Sequence, residues 1–120
     1  MIKKGIMENC LFCKIINREI PAKIVYEDSQ VLAFEDIKPQ APVHILIIPK
    51  EHLATLNDVS EEKQGLLATM LMKTREIARQ KGLATTGYRT VLNTARDAGQ
   101  EVFHIHFHLL GGRRMTWPPG

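Results

Sequence analysis

No apolar run in the sequence is long enough to cross a membrane. The longest apolar stretches, such as residues 43–48, fall far short of the roughly 20 consecutive residues that a spanning helix needs. Residues 1–7 carry positive charge, but no apolar segment stands behind it, so a secretory signal is not expected. The sequence therefore predicts a cytoplasmic protein that does not bind a membrane.

Cysteines and charge blocks are also scarce. The two cysteines are Cys10 and Cys13, and because cytoplasmic thiols stay reduced, we expect them to be free or metal-bound. The formal net charge of +3 arises from 16 basic and 13 acidic residues without a basic block, so no nucleic-acid partner is predicted. No repeat or linker interrupts the chain, which predicts a single domain over residues 1–120 with a flexible start at residues 1–8.

Apolar periodicity and turn residues predict an α+β fold with an antiparallel sheet of about five strands. The predicted strands are residues 24–27, 31–35, 43–48, 88–93 and 102–110. A short helix is expected over residues 9–17 and a long helix over residues 60–81, where Asp58 and Glu61 resemble a capping box. The apolar stripe of the long helix, predicted to pack in the core, consists of Leu67, Met70, Leu71, Thr74, Ile77 and Ala78.

Three histidines alternate with apolar residues in the last predicted strand. Because alternate residues of a strand share a face, His104, His106 and His108 are expected to line one side while Ile105 and Phe107 enter the core. Three interpretations are open: a solvated polar face, a zinc site built from imidazoles, or a phosphate site in which a neutral imidazole attacks phosphorus. Spacing alone does not separate the last two.

Residues around this strand favour the phosphate interpretation. Asn93 ends the preceding strand, and Gly99 and Gln100 lie shortly before the histidines. Amide and backbone donors at these positions suit an oxyanion, and a glycine lets the backbone approach a phosphate closely.

The two cysteines are separated by two residues, which is the spacing of a zinc half-site. Two alternatives stay open: a pair of small buried thiols on the first helix, or a redox pair, for which the thioredoxin-like βαβ context is missing. A tetrahedral zinc site needs two further ligands, for which histidine is the natural supplier.

Several segments of the sequence match one known pattern. Residues 104–110 follow the motif His-φ-His-φ-His-φ-φ, in which φ is apolar. Further matching segments are residues 12–16, 19–21, 33–37, 39–42, 44–50, 87–89, 93, 99–100, 111–113 and the ending Trp117-Pro118-Pro119-Gly120. Together they resemble the histidine-triad family, in its nucleotide-binding, phosphoramidase-like branch, from about Cys10 to the C-terminus.

The resemblance implies a hydrolase of purine nucleoside phosphoramidates that releases AMP or GMP through a nucleotidyl-histidine intermediate. It implies that His106 attacks the α-phosphorus, that His108 binds phosphate oxygens, and that His44 and His104 complete the catalytic group. Asp36 would accept hydrogen bonds from the ribose. The implied base wall consists of Leu11, Phe12, Ile15, Ile20, Phe34 and Ile37, and the implied phosphate-facing residues are Asn93, Gly99 and Gln100.

One position departs from the family pattern. Glu101 stands where some members of the branch carry a serine beside the leaving group. A carboxylate there either acts as an acid toward an amine leaving group or repels phosphate, so leaving-group preference stays open.

The resemblance further implies a structural zinc ion and a homodimer. The implied zinc ligands are Cys10, Cys13, His52 and His104, and no organic cofactor is expected. The sheet would continue across the dimer, and the tail at residues 113–120 would reach the partner's active site, where Trp117 would help to select the leaving group.

Three other functions stay open at the level of sequence. The first is a dinucleoside polyphosphate hydrolase, which shares the triad. The second is a purine-nucleotide-binding regulatory module with little turnover. The third is a zinc-dependent hydrolase.

Overall fold

The computed structural model describes residues 9–120, and the segment 1–8, predicted to be flexible, lies outside the described residues. The strands are β1 Ile24–Glu27, β2 Val31–Glu35, β3 Val43–Pro49, β4 Tyr88–Val91 and β5 Phe107–Gly111, and the helices are α1 Leu11–Ile16 and α2 Gln64–Gln80. The strands form one five-stranded sheet in the order β1-β2-β3-β5-β4, in which all neighbouring strands are antiparallel. The predicted α+β class is confirmed.

The sheet is buried on both faces at its centre, because successive residues of a strand point to opposite sides. On one face the α2 helix packs over an apolar layer made of Val31, Ala33, Ile45, Ile47, Met70, Ile77, Ala78, Leu83, Phe107 and Leu109. On the other face the short α1 helix covers a smaller layer made of Phe12, Ile15, Leu32, Phe34, Leu46 and Ile48. Burying these side chains removes apolar surface from water. Each of the larger ones stabilises the fold by about 1.5–3 kcal/mol.

The long helix begins later than predicted. A 3-10 turn at Glu61–Lys63 precedes α2, which begins at Gln64 without a side-chain cap. The predicted capping box between Asp58 and Glu61 is wrong, because Asp58 caps a different turn. Its carboxylate accepts hydrogen bonds from the backbone N–H and the hydroxyl of Thr55 at 3.0 and 2.9 Å.

The apolar stripe of α2 is narrower than predicted. Met70, Thr74, Ile77 and Ala78 are buried, whereas Leu71 is 49% exposed.

Within the described residues, no helix has the length and apolarity that a membrane span requires.

The histidine strand is also shorter than predicted, since β5 begins at Phe107 rather than at residue 102. The chain bends before it, and the N–H of Ile105 donates to the carbonyl of Leu53 at 2.6 Å rather than to a neighbouring strand. Ile105 and Phe107 are buried, as predicted. Of the three histidines, His108 lies in the strand, while His104 and His106 lie in the bend before it.

Candidate active site

Neighbouring strands bring two of the histidines together on the α1 side of the sheet. In the β3–β5 pair, Leu46 lies opposite His108, and His44 lies two residues before Leu46. Residues two apart in a strand share a face, and so do directly paired residues. His44 and His108 therefore point to the same side as Leu46, which packs in the α1 layer.

These histidines open into a cavity of about 1010 Å³, at the upper end of the size of small-molecule sites. Its apolar wall includes Leu11, Phe12, Ile15, Ile20, Phe34, Ile37, Leu46 and Val102, and its other lining residues include Lys23, Glu35, Asp36, Lys38, Gln40, His44, Asn93, Gly99, Glu101, His106 and His108. The cavity thus has a broad apolar wall and a polar end where the histidines meet.

The ring of His106 is held in one tautomer. Its Nδ1 lies 2.8 Å from the carbonyl oxygen of His104, and because a carbonyl only accepts, Nδ1 carries the proton. Nε2 therefore keeps its lone pair. Every buried side-chain nitrogen within residues 9–120 has a hydrogen-bond partner, and Nε2 of His106 has none, so this atom is exposed to the cavity that His106 lines. Burial lowers the pKa of His106, against the opposing effects of the His104 carbonyl and Asp36. A neutral imidazole with a free Nε2 is the form that acts as a nucleophile.

A second chain of hydrogen bonds orients His108. The backbone N–H of Gln40 donates to Nδ1 of His44 at 3.0 Å, so the proton of His44 lies on Nε2. That Nε2 donates to Nδ1 of His108 at 2.9 Å, which places the proton of His108 on its own Nε2. Burial, followed by the neighbouring His106 and His44, lowers the pKa of His108 to about 4. His108 is therefore a neutral hydrogen-bond donor beside His106, with ring centroids 4.9 Å apart.

Asp36, His44 and His108 are close enough together to hold a metal ion, but the tautomers oppose this use. Asp36 Oδ2 lies 3.4 Å from Nε2 of His44. Because Gln40 donates to the other ring nitrogen, this Nε2 bears the proton and has no lone pair for a metal. The arrangement favours a hydrogen-bonded group over a catalytic metal centre.

A second cluster, made of sulfur and nitrogen atoms, includes the first histidine of the motif, His104. Cys13 Sγ is 3.4 Å from Nδ1 of His52 and 3.5 Å from Nδ1 of His104, and Cys10 Sγ is 3.5 Å from the same atom of His104. Nε2 of His104 donates to the Pro49 carbonyl at 2.7 Å, so Nδ1 presents its lone pair to the thiols.

The four ligand atoms of this Cys/His cluster (Cys10, Cys13, His52, His104) all lie within 4.8 Å of one another. Burial lowers the pKa of His104 to about 4, which keeps its ring in the neutral form that binds metals. Two thiols and two imidazoles are a tetrahedral zinc donor set, and the bond from His104 to Pro49 is the outer support that metal-binding histidines require. The cluster can hold a metal ion and is compatible with zinc.

Known proteins are similar to this chain in fold and in sequence. The family model of the HIT domain, named for the histidine triad, matches residues 17–115. An Escherichia coli purine nucleoside phosphoramidase is 57% identical over 108 residues, covering 90% of this chain and 91% of that protein. The crystal structure of a HIT family hydrolase from Legionella pneumophila superposes with a TM-score of 0.92 at 59% identity, covering 93% of this chain and 100% of the other.

The chain belongs to the HIT family. It is an enzyme of the histidine-triad hydrolase type. A HIT-like protein from Synechococcus elongatus, named as uncharacterized, is 58% identical over 113 residues. The match covers 94% of this chain and 98% of that protein.

Gln100, which sequence assigned to the nucleotide, does not line the cavity, and Trp117, which sequence assigned to the partner's active site, does not line it either. The Gln100 side chain is buried and binds the backbone of its own loop: Oε1 accepts from the N–H of Ala95 at 2.8 Å, and Nε2 donates to the carbonyls of Ala54 and Val102 at 2.8 and 3.1 Å. In this chain it shapes the loop instead of facing the cavity. Trp117 is 83% exposed.

Sequence reasoning missed two backbone groups that set the tautomers. They are the N–H of Gln40 and the carbonyl of Pro49. It also missed Lys23, Glu35 and Lys38 as cavity residues. The proline-rich segment at residues 39–42 was the available signal for a fixed backbone near His44, but main-chain groups carry no residue-specific pattern.

Proposed function

We propose that this enzyme hydrolyses purine nucleoside phosphoramidates, releasing AMP or GMP through a nucleotidyl-histidine intermediate on His106. The observation that supports this proposal is the bond from Nδ1 of His106 to the His104 carbonyl, which leaves Nε2 as a neutral nucleophile on the cavity wall. The 57% identity to the E. coli purine nucleoside phosphoramidase supports the substrate class.

In the first step, Nε2 of His106 attacks the α-phosphorus and the P–N bond to the amine breaks. The ring becomes positively charged, and the His104 carbonyl, which accepts from Nδ1–H, stabilises that charge. The Nε2–H of His108 would donate to a phosphate oxygen. The departing amine takes a proton from solvent as it leaves, since an amide anion is a poor leaving group.

In the second step, water attacks the phosphorus and the N–P bond to His106 breaks. The water gives up one proton to solvent, the nucleoside monophosphate is released, and His106 returns to its neutral form. The apolar wall from Phe12 to Phe34 suits a purine base, and the carboxylate of Asp36 suits the ribose hydroxyls.

The test is AMP release from adenosine 5′-phosphoramidate by the wild type and by His106→Ala. We expect turnover by the wild type and its loss in the variant, with AMP binding retained as the control for an intact cavity. His106→Gly with added imidazole should recover part of the rate. Wild-type protein that binds AMP without turnover would indicate the binding-module alternative, and preferential cleavage of diadenosine polyphosphates would indicate the polyphosphate hydrolase.

We also propose that the Cys/His cluster binds a structural zinc ion. The facing Nδ1 lone pair of His104 and the two thiols support this assignment. When bound, zinc would fasten α1 to the sheet, and it would leave His106 free. We further propose a cytoplasmic location, where the two thiols would stay reduced and available to the metal.

Metal analysis of protein purified without chelator tests the zinc proposal. We expect one zinc per chain in the wild type and a loss of most of it in Cys13→Ser. The matched variant is His44→Gln, which changes a neighbouring histidine outside the cluster and should keep its zinc. A metal-free wild type, or unchanged zinc in Cys13→Ser, would overturn the assignment.

We further propose that the chain forms a single domain over residues 1–120 and that two copies form a homodimer. The strand β4 is an edge of the sheet, and an uncovered edge is a template for pairing. Exposed apolar side chains lie on it and on α2, namely Tyr88 (38%), Leu71 (49%) and Met72 (45%). Pairing of two copies through these elements would continue the sheet.

The tail at residues 113–120 would then reach the partner's cavity. Arg89 on β4 donates to the carbonyl of Thr116 at 2.9 Å, which holds the tail beside that edge. Sedimentation should give twice the chain mass of 13.6 kDa, and truncation after Arg114 should alter substrate preference while leaving the fold intact. A monomer in sedimentation would contradict this part alone.

A further inference from the structure

We propose that the Cys/His cluster and the nucleotide cavity are thermodynamically coupled, so that metal binding tightens nucleotide binding, with Phe12 as the positioning residue between them. The inference rests on the proposed function, which supplies the nucleotide and the zinc ion.

One short helix serves both sites. Cys10 and Cys13 lie at the start and in the first turn of α1, and the N–H of Cys13 points to Cys10 Sγ at 3.5 Å. Leu11, Phe12 and Ile15 of the same helix line the cavity. A helix of six residues is too short to be stable alone. A metal that fixes its cysteines therefore also fixes a wall of the cavity.

The Phe12 ring packs between the two sites. It is 4% exposed and meets three other rings edge-on, with centroids 5.0 Å from His106, 5.9 Å from His104 and 5.4 Å from Phe34. It thus touches a cluster histidine, the proposed nucleophile and the apolar wall. Close-packed rings transmit displacement, because interiors have few voids to absorb it.

His104 belongs to both sites. Its ring faces the thiols, while its carbonyl oxygen accepts a hydrogen bond from Nδ1–H of His106, with an N···O distance of 2.8 Å. Fixing the ring restricts the backbone of the same residue, so a metal orients the nucleophile as well as the wall. Free energies of coupling between sites are typically about 1–3 kcal/mol, or 5–150-fold in affinity, and they act equally in both directions.

The test measures AMP affinity by calorimetry for zinc-loaded and zinc-stripped full-length protein. We expect zinc removal to weaken AMP binding at least fivefold. Saturating AMP should tighten zinc binding, measured by competition with a chromophoric chelator, by the same factor. Circular dichroism of the stripped protein checks that it remains folded.

Phe12→Leu should bring the coupling factor close to one. The matched control is Phe34→Leu, an equally buried phenylalanine of the same wall without a ring contact to either histidine. It should weaken AMP binding while keeping the coupling factor. In protein loaded with Co²⁺, AMP should shift the visible ligand-field bands in Phe34→Leu and leave them unchanged in Phe12→Leu, a readout that needs no stripped protein.

Equal AMP affinity of loaded and stripped folded protein, or a cobalt spectrum of the wild type that AMP does not change, would overturn the coupling. That failure is distinct from failure of the proposed reaction, because AMP binding is measured without turnover. AMP binding to neither form would overturn both the coupling and the proposed function. A wild type that binds no zinc would overturn the coupling alone.

Discussion

Nδ1 of His106 lies 2.8 Å from the carbonyl oxygen of His104, while Nε2 of His104 lies 2.7 Å from the carbonyl oxygen of Pro49. The two histidines of one motif therefore carry their protons on opposite ring nitrogens. Each carbonyl can only accept, so the backbone decides which nitrogen stays available. The free nitrogen of His104 faces the thiols and that of His106 faces the cavity.

The tautomers can be measured directly. In zinc-free protein at neutral pH, ring ¹⁵N shifts should place the proton of His106 on Nδ1 and those of His44, His104 and His108 on Nε2. Assignment uses the loss of one ring signal in His106→Gln. A proton on Nε2 of His106 would contradict the nucleophile assignment.

The His44 ring should affect the chemical step more than substrate binding. Removing it in His44→Ala leaves Nδ1 of His108 without its donor, so the Nε2 proton of His108 is no longer fixed. We expect kcat to fall about tenfold to a hundredfold, the range for loss of an orienting partner, with a smaller change in KM. His44→Gln, whose amide can donate to His108, should recover part of kcat. Equal losses in both variants would argue against the orienting role.

Stability should fall on mild acidification. Burial lowers the pKa of His104 and of His108 from 6.5 to about 4. Between these two values the histidines are protonated in the unfolded chain and neutral in the folded protein. Their contribution is full above the unfolded pKa and is lost as the pH falls from 6.5 toward 4.

Urea unfolding of zinc-free protein at about pH 7.5 and about pH 5.5 tests this dependence. The unfolding free energy of the wild type should be lower at the acidic pH. This decrease should be smaller in His108→Asn, which lacks one of the two titrating rings. The pKa values of Glu27 and Asp28 are lowered from ordinary values of 4.5 and 3.8, so these carboxyls lose their contribution mainly below the two pH values that are compared. Equal stability at both pH values would contradict the prediction.

The sequence predicted what depends on local pattern. The hairpin strands Ile24–Glu27 and Val31–Glu35 have the predicted bounds, since β-rich runs flank an Asp-Ser-Gln turn. It could not predict the bend before Phe107, which depends on a bond from Ile105 to Leu53. Nor could it predict the inward turn of Gln100, whose amide binds a distant carbonyl. Periodicity reports neighbours in sequence, whereas contacts between distant segments decide these details.

The loop before the histidines holds backbone strain at Ala95. Its φ of 65° and ψ of −169° lie in a region that essentially only glycine adopts. Two hydrogen bonds to Gln100 hold it there: its N–H donates to Oε1 at 2.8 Å, and its carbonyl accepts from the backbone at 3.2 Å.

Ala95→Gly should therefore stabilise the protein by about 1 kcal/mol, since relief of about 1–3 kcal/mol of strain exceeds the entropy that glycine loses on folding. Gly99→Ala is the matched change of opposite sign. Gly99 has φ 83° and space for a Cβ, so its substitution should destabilise by about 1–2 kcal/mol. Urea unfolding measures both, and destabilisation by Ala95→Gly would show that the strain is absent.

Glu101 should govern which amines leave. Its side chain is exposed and lines the cavity together with His106 and His108, and within residues 9–120 no hydrogen bond or ion pair engages it. A carboxylate there attracts a leaving amine that carries a second ammonium group and repels one that carries a carboxylate. At water-like screening one such charge pair at 4 Å contributes about 1 kcal/mol, or roughly fivefold in rate.

Two adenosine phosphoramidates that differ only in a terminal ammonium or carboxylate on the amine provide the measurement. Wild type should favour the ammonium substrate in kcat/KM, and Glu101→Gln should reduce that preference about fivefold. Glu35→Gln is the control, because Glu35 lines the same cavity but lies 3.7 Å from Lys23, which already balances its charge. If the preference survives in Glu101→Gln, another charged group selects the leaving amine, and added salt should then still reduce the preference.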